Sequence, residues 1–219
     1  MAERYVKVYT RFNRIWHWSQ MVSIMLLFFT GARLLGFHQI GPFGLAVTVH
    51  TIVALALLVL WAFATFWLFT TEGWKQFVPR LTGLAEVARF YAWGVFKGEE
   101  HPYVKRFDRR HNPLQAFAYF ALKMALFPLI WISGLLYLTY GVWGDGDTNS
   151  VLLTIVANLH VLGAFAIASF VVVHIYLLTI GHGFREHVRP MVTGYDKVDL
   201  CPEGEAYFEK QGKLKPLEN

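Results

Sequence analysis

The sequence is poor in charge and has almost no cysteine. Of its 219 residues, 16% are charged and 55% are hydrophobic, whereas roughly 25% charged residues are usual in a soluble domain. These proportions exclude a disordered chain and make lipid the expected solvent for most of the protein. The single cysteine, Cys201, excludes an internal disulfide and a cysteine-rich metal or iron–sulfur site. The sequence also lacks a C-x-x-C-H motif, which excludes covalent attachment of c-type haem.

Acidic residues are missing from the four long apolar runs of the chain. Each run can cross roughly 30 Å of hydrocarbon, for which about 20 helical residues suffice. The only charged side chains within the runs are Arg33 and Lys123. The pattern predicts a single all-α membrane domain over residues 1–219, an integral membrane four-helix bundle with spans at about 15–35, 45–69, 114–140 and 151–180.

Basic residues are missing from two of the connections between these spans. The net charge of +5 comes from 20 Lys and Arg against 15 Asp and Glu. Eighteen of the basic residues lie in residues 1–14, the loop 70–113 and the tail 181–219, and none lies in 36–44 or 141–150. By the positive-inside rule, both termini, the loop and the tail are expected to be cytoplasmic. The basic excess therefore indicates topology and contact with membrane lipid, and no nucleic-acid partner is expected.

The loop 70–113 contains apolar residues at helical spacing, namely Leu84, Val87, Ala88, Tyr91 and Val95. This spacing predicts an amphipathic helix that lies on the cytoplasmic face of the membrane. A solvated linker with one or two helical turns is the alternative.

Four of the nine histidines lie inside the apolar spans: His17, His50, His160 and His174. An imidazole in lipid is costly unless its polar atoms are satisfied, so this position indicates function, although any one ring could serve structure alone. His160 and His174 are 14 residues apart, so at about 100° per residue they share one helix face and lie about 21 Å apart. The predicted orientation puts His17 and His174 at the cytoplasmic level, and His50 and His160 at the periplasmic level.

Two pairs of facing imidazoles, one near each side of the bilayer, are what two b-type haems require. Each haem iron takes one axial ligand on each face of the porphyrin. Zinc ligands must instead converge on one point, and a proton relay should include Asp or Glu within the spans. The sequence therefore predicts His17 with His174, and His50 with His160, as the axial ligands of two non-covalent haems b. Gly31 lies on the same helix face as His17 at the periplasmic level, where it would let a haem ring press against the backbone or allow close helix packing.

Several motifs make the chain similar to a known family. The first span opens with Arg14-Ile15-Trp16-His17-Trp18, the third with Asn112-Pro113-Leu114-Gln115, and the tail contains Met191-Val192-Thr193-Gly194. With His50 and the His160/His174 pair, these motifs resemble the di-haem cytochrome b subunits that anchor formate dehydrogenases, nickel–iron hydrogenases and thiosulfate- or polysulfide-type reductases. The resemblance covers nearly the whole chain and implies the same ligand pairs in a bacterial or archaeal cytoplasmic membrane.

The resemblance also implies a quinone site beside the cytoplasmic-side haem. Asn112 and Gln115 would there supply hydrogen bonds to the carbonyl oxygens of menaquinone or ubiquinone. The alternative for Asn112 is the N-cap of a helix that begins at Pro113.

Basic side chains near the two haem levels are candidates for binding haem propionates. Arg33 is the candidate at the periplasmic end, and Arg14 or the cluster Arg106, Arg109 and Arg110 at the cytoplasmic end. Lys123 has no acidic partner within reach in the sequence, so a propionate, a quinone oxygen or a water pocket would each satisfy it.

The expected function is electron transfer within a respiratory oxidoreductase complex. The partners implied are a periplasmic-side iron–sulfur or multihaem subunit and a catalytic subunit, either a molybdenum or tungsten enzyme or a nickel–iron hydrogenase. The chemistry of this chain would be quinone reduction or quinol oxidation at the cytoplasmic-side haem. One alternative is a stand-alone di-haem cytochrome b that oxidises superoxide with quinone as acceptor. Another is a transporter or scaffold without haem.

Overall fold

The structure, a computed structural model, describes residues 2–100, 102, 111–144, 150–180, 183–200 and 202–214. Most of these residues are helical. The α-helices are α1 (Arg11–Leu34), α2 (Phe43–Thr70), α3 (Leu84–Ala92), α4 (Pro113–Ala121), α5 (Phe127–Leu138), α6 (Tyr140–Trp143), α7 (Val151–Leu177), α8 (Phe184–Thr193) and α9 (Pro202–Lys210). The strands are β1 (Ala2–Lys7) and β2 (Tyr195–Leu200), and short 3-10 helices cover Gly73–Phe77 and Gly94–Lys97.

Three helical stretches in the described part of the chain are long and apolar enough to cross a membrane: α2, α7 and Pro113–Leu138, which contains α4 and α5. Large apolar side chains on them are exposed, such as Phe63 at 65% and Val172 at 67%. Such exposure is expected where lipid covers the surface. The mostly helical membrane architecture therefore agrees with the sequence prediction.

The first predicted span, residues 15–35, falls on α1. At 24 residues α1 is long enough to cross a bilayer. It is less apolar than the other three stretches because it carries polar side chains, including His17, Gln20 and Arg33. A crossing by α1 therefore stays a prediction.

Two of the helices begin with the same reciprocal capping arrangement. At the start of α1, Thr10 Oγ1 accepts a hydrogen bond from the Asn13 backbone N–H at 3.2 Å, and Asn13 Oδ1 accepts one from the Thr10 N–H at 3.2 Å. At the start of α4, Asn112 Oδ1 accepts from the Gln115 N–H at 2.8 Å, and Gln115 Oε1 accepts from the Asn112 N–H at 3.1 Å. Pro113 occupies the first turn of α4, where its missing N–H costs nothing. These caps fix where the two helices start.

A π-helical segment, Leu122–Leu126, joins α4 to α5. It lies just before Pro128, which is in the first turn of α5. A proline inside a helix removes one backbone donor and crowds the carbonyl four residues earlier, here that of Met124. Widening the helix by one residue relieves this crowding, and the wider turn carries Lys123.

The described residues divide into two compact units. The first contains 2–64, 176–180, 183–200 and 202–214, and the second contains 65–100, 102, 111–144 and 150–175. The prediction of a single membrane domain is not tested by this division, because α2 and α7 each contribute to both units.

The first unit contains a ribbon that the sequence did not predict. Strands β1 and β2 pair antiparallel from Ala2 opposite Leu200 to Lys7 opposite Tyr195. Val6, only 1% exposed, also bridges to Leu214. This terminal ribbon, defined as β1 and β2, joins the N-terminal segment of the chain to its tail.

The second unit confirms the helix predicted in the loop 70–113. It is α3, and Val87 and Phe90 are buried on its apolar face. Val95 of the predicted pattern instead lies in the 3-10 helix Gly94–Lys97. The position of α3 on the membrane surface remains a prediction.

Candidate functional site

His50 on α2 is held by two consecutive residues of α1, Thr30 and Gly31. The Thr30 hydroxyl oxygen lies 2.9 Å from His50 Nδ1. Gly31 leaves room for the ring, because a Cβ at that position would lie 3.5 Å from His50 Cε1. Thr30 itself is only 5% exposed. The predicted role of Gly31 beside a haem stays a prediction, and the ring that it contacts in the structure is the imidazole of His50.

His160 on α7 is held in the same way by consecutive residues of α5, Ser133 and Gly134. The Ser133 hydroxyl oxygen lies 3.2 Å from His160 Nδ1, and the Ile130 carbonyl oxygen lies 3.1 Å from the same nitrogen. A Cβ on Gly134 would lie 3.0 Å from His160 Cε1. The close approach of α7 to α5 is helped by Gly163, where a Cβ would lie 3.3 Å from Ile130 Cδ1.

Sequence reasoning missed Thr30, Ser133 and Gly134. The signal that could have found them is the repeated pair of a small hydroxyl residue followed by glycine, Thr30-Gly31 and Ser133-Gly134. The sequence has two further dipeptides of this kind, Thr82-Gly83 and Thr193-Gly194, so the pattern is too weak to interpret without knowing which pairs face a histidine.

His174, nearer the C-terminal end of α7, lies among aromatic rings. Its imidazole stacks on Phe170 with centroids 6.0 Å apart and 5° between the planes. Tyr119 of α4 approaches it edge-on at 6.5 Å, and the ring of His111 lies 5.0 Å from that of Tyr119. A stacked and edge-packed ring has little freedom to rotate.

His17 on α1 is flanked by two residues that bind the chain near the end of α8. Arg14 Nη1 donates to the Val192 carbonyl oxygen, and Trp18 Nε1 donates to that of Met191 at 3.0 Å. The two motifs that the sequence singled out at opposite ends of the chain thus contact each other. Arg14 is partly engaged by this contact, and its Nε is buried without a hydrogen-bond partner among the described residues.

Arg33 lies at the end of α1 beside the connection to α2. Its Nε donates to the Gly41 carbonyl oxygen at 3.2 Å, and the guanidinium carbon lies 5.6 Å from the centroid of the Phe43 ring. These contacts hold the side chain at the end of the helix, and its role with a propionate stays a prediction. The other propionate candidates, Arg106, Arg109 and Arg110, lie outside the described residues.

Asn112 and Gln115 form the capping box of α4, which is the alternative that the sequence left open for Asn112. Asn112 is 6% exposed, and its Nδ2 donates to the Tyr91 hydroxyl oxygen at 3.3 Å. Burial raises the pKa of the Tyr91 phenol, and the hydrogen bond from Asn112 lowers it. Tyr91 therefore stays protonated at neutral pH. The role of both amides in quinone binding is not tested by these contacts.

Lys123 is placed by the π-helical segment against the loop 70–113. Its Nζ lies 4.8 Å from the centroid of the Phe77 ring. Phe77 also contacts His111 at 5.3 Å and Tyr119 at 6.3 Å. Lys123 therefore has an aromatic neighbour, an outcome that sequence reasoning did not consider.

The structure brings some of the predicted site residues together and leaves others apart. Gly31 meets His50, and Arg14 lies one turn from His17. His17 and His50 belong to the first compact unit, and His160 and His174 to the second. The pairing of His17 with His174 and of His50 with His160 therefore stays a prediction. Groups of three or more His, Cys, Asp or Glu that could hold a metal ion do not occur within the described residues.

Apolar helices that carry histidines within their length are features of the membrane cytochromes b as a class. The chain matches the family described as prokaryotic cytochrome b561 over residues 8–194, and it belongs to that family. It is 31% identical over 201 residues to a protein of Escherichia coli (strain K12) named "Putative cytochrome YdhU", across 88% of this chain and 75% of the relative. No solved structure matches the chain.

Family membership confirms the resemblance to membrane cytochrome b subunits. The protein is a prokaryotic membrane cytochrome of the electron-transfer type, and the family implies that it binds haem b.

Proposed function

We propose that the chain is the membrane-anchoring di-haem subunit of a respiratory oxidoreductase complex. The observation that carries the proposal is the matched holding of His50 and His160. Each Nδ1 faces a hydroxyl oxygen that already donates to a helix carbonyl, so Nδ1 carries the hydrogen of each ring and Nε2 carries the lone pair. A neutral imidazole whose Nδ1–H is hydrogen-bonded is the form in which histidine binds haem iron through Nε2.

A fourth crossing by α1 is supported by the terminal ribbon. Paired strands β1 and β2 must lie on the same side of a membrane, because the ribbon cannot pass through lipid. The three apolar stretches alone would put the two ends of the chain on opposite sides. One further crossing is needed, and α1, with 24 residues, is the helix long enough to supply it.

The four histidines would hold the two haems as His17 with His174 and His50 with His160. Haem supplies one-electron oxidation and reduction when it is bound. Arg14 supports the cytoplasmic-side site, since its buried Nε is a charged donor that no described residue satisfies. Arg33 would bind a propionate at the other side. Electrons that cross between the two levels move charge through the membrane potential, at about 2.3 kcal/mol per 100 mV.

A partner on the periplasmic side is supported by the two short connections between the spans. Neither contains a basic residue, and both expose apolar side chains. Phe37 and Ile40 in the first are 70% and 66% exposed, and Val142 in the second is 87% exposed. Exposed apolar groups outside the spans are typical of protein contact surfaces. The proposed partners are an iron–sulfur or multihaem subunit and a catalytic subunit with molybdenum, tungsten or nickel and iron.

The quinone, menaquinone or ubiquinone, would react at the cytoplasmic-side haem near Asn112 and Gln115. Oxygen atoms of both amides are used in the capping box. The Asn112 Nδ2 donor, now on Tyr91, is the group that would turn to a quinone oxygen.

The test is an optical spectrum and redox titration of the purified protein and of four variants in which each histidine is replaced by alanine. Two low-spin b haems are expected in the parent, and each variant should lose one. His17→Ala and His174→Ala should lose the same haem, and His50→Ala and His160→Ala the other. A colourless parent protein would overturn the proposal.

Purification in mild detergent separates the proposed complex from a stand-alone cytochrome. Co-purifying iron–sulfur or multihaem subunits support the complex. A lone di-haem protein that superoxide reduces would support the alternative, which the family comparisons do not favour.

A further inference from the structure

We propose that Thr30 and Ser133 are positioning residues that select Nε2 of His50 and His160 as the iron-binding nitrogen and tune the haem bound there. This inference rests on the proposed function. It adds two residues of α1 and α5 that do not touch iron and that act through the imidazoles.

The Thr30 hydroxyl has one hydrogen and already has an acceptor for it. Thr30 Oγ1 lies 2.8 Å from the Leu26 carbonyl oxygen and 3.3 Å from that of Leu27. A carbonyl can only accept, so the hydroxyl donates to the helix backbone. Its lone pair then faces His50 Nδ1 at 2.9 Å and accepts a hydrogen bond from it. His50 therefore carries its hydrogen on Nδ1.

Ser133 has the same arrangement on α5. Its Oγ donates to the Leu129 carbonyl oxygen at 2.6 Å and lies 3.2 Å from His160 Nδ1. The Ile130 carbonyl oxygen lies 3.1 Å from that nitrogen and is a pure acceptor. Nδ1 of His160 must therefore carry the hydrogen, and the assignment does not depend on the orientation of the serine hydroxyl.

The neighbouring glycines restrict each imidazole ring along a second edge. Gly31 and Gly134 lie against the Cε1 edges of His50 and His160, while the hydroxyls bind Nδ1. A ring held at one nitrogen and packed along one edge can neither flip nor exchange its nitrogens without breaking both contacts. Two helices that are distant in sequence thus use the same pair of residues for the two histidines assigned to one haem.

An acceptor on Nδ1–H increases the basicity of Nε2 and so favours oxidised iron. Removing the acceptor should therefore raise the midpoint potential of that haem. For a one-electron couple, a tenfold change in the ratio of the histidine's binding constants for oxidised and for reduced haem equals about 59 mV.

The experiment compares Thr30→Val and Ser133→Ala with the parent complex by redox titration and by electron paramagnetic resonance of the oxidised haems. Both variants remove a hydroxyl from a helix without adding bulk. We expect Thr30→Val to raise the potential of one haem by a several-fold change in this ratio, to alter its g-values, and to leave the second haem unchanged. Ser133→Ala should shift the same haem in the same direction but less, because the Ile130 carbonyl stays on His160 Nδ1. Thr30→Ser keeps the hydroxyl and should restore the parent values.

Thr48→Val and Ser169→Ala are the matched controls. Each also removes a hydroxyl that donates to a helix carbonyl, on α2 and α7 respectively. They should leave both haems unchanged. Unchanged potentials and g-values in Thr30→Val and Ser133→Ala would overturn the inference, as would an equal shift in Thr30→Ser.

The outcomes also separate this inference from the proposed function. Absence of haem from the parent protein would contradict the proposed function. Shifts of two different haems by Thr30→Val and Ser133→Ala support positioning and contradict the pairing of His50 with His160. If one variant does not accumulate, the other tests the same chemistry on a different helix.

Discussion

At the scale of single residues, Gly31 and Gly134 differ in how tightly they contact their histidines. An added Cβ would be in ordinary contact with His50 at 3.5 Å, but it would crowd His160 at 3.0 Å. Both glycines are inside helices, where alanine is favoured over glycine by about 1 kcal/mol. Alanine should therefore be tolerated at position 31 and should be destabilising at position 134.

We predict that Gly31→Ala keeps both haems and the parent stability, because its contact is relaxed and its helix is strengthened. Gly134→Ala should displace the His160 ring, reduce the haem content of the purified protein and lower its unfolding temperature. Haem per polypeptide and thermal unfolding measure both effects. Equal behaviour of the two variants would show that the difference in contact distance has no consequence.

Asn112 has two separable roles, as a helix cap and as an amide donor. Asn112→Ser keeps a side-chain oxygen that caps α4 but removes the Nδ2 donor, whereas Asn112→Ala removes both. We predict that Asn112→Ser retains stability and both haems but slows quinone-linked turnover. Asn112→Ala should in addition lose about 1 kcal/mol of stability.

Turnover with a water-soluble quinol and thermal unfolding distinguish these effects. Normal turnover in Asn112→Ser would show that Asn112 serves only as a cap. Asn13→Ala, which weakens the corresponding capping box of α1, is the control for the general effect of losing a capping partner.

At the scale of elements, the terminal ribbon and α8 meet the start of α1 at Gly194. This glycine has φ +91° and follows α8, and the backbone N–H groups of Val8 and Tyr9 donate to its carbonyl oxygen. An added Cβ would lie 2.9 Å from the Tyr9 carbonyl oxygen. Residues 2–7 and 195–200 of the ribbon lie outside the family match, which ends at residue 194.

We predict that Gly194→Ala destabilises this junction, because it adds both left-handed strain of about 1–3 kcal/mol and a backbone collision. Hydrogen exchange of β1 and β2 should become faster. Gly212→Ala is the control: it has a positive φ of +62° but nothing within 4 Å of the added Cβ. If the amides of β1 and β2 exchange at the same rate in both variants, the collision with the Tyr9 carbonyl does not contribute to the loss of stability.

At the scale of the whole molecule, the number of crossings depends on α1. The three apolar stretches alone would leave β1 and β2 on opposite sides of the membrane, and the proposed crossing by α1 would bring the two paired strands to the same side. The absence of basic residues from 36–44 and 141–150 predicts which side these connections face.

We predict that a periplasmic reporter enzyme is active when fused after Gly41 or Gly144 and inactive when fused after Leu214. A cytoplasmic fluorescent reporter should show the opposite pattern. Activity of the periplasmic reporter at Leu214 would mean that α1 does not cross the membrane and that β1 and β2 do not pair in the membrane-inserted protein.

Much of this molecule follows from the periodicity and composition of its sequence. Long apolar runs with a length near 20 residues can satisfy their backbone in lipid only as helices, so α2, α7 and Pro113–Leu138 were predictable within a few residues. Four histidines within or beside such runs also stand out, because polar rings are rare there.

Other features depend on contacts between segments that are distant in sequence. The ribbon joins residues 2–7 to 195–200, and polar strands of six residues in charged termini carry no strong periodic signal. The π-helical segment before Pro128 was not predicted either, because the position of a proline does not by itself decide how the helix adjusts to it.

The sequence by itself determined the membrane class, the candidate histidines and the distribution of charge, because these depend on the chemistry of each residue and its local spacing. The tertiary structure decided which atoms meet. It put Thr30 and Ser133 on the Nδ1 atoms of His50 and His160, used Asn112 and Gln115 as a cap, and brought Arg14 to the end of α8. These contacts depend on the rotation and approach of packed helices, which a hydrophobic pattern leaves open.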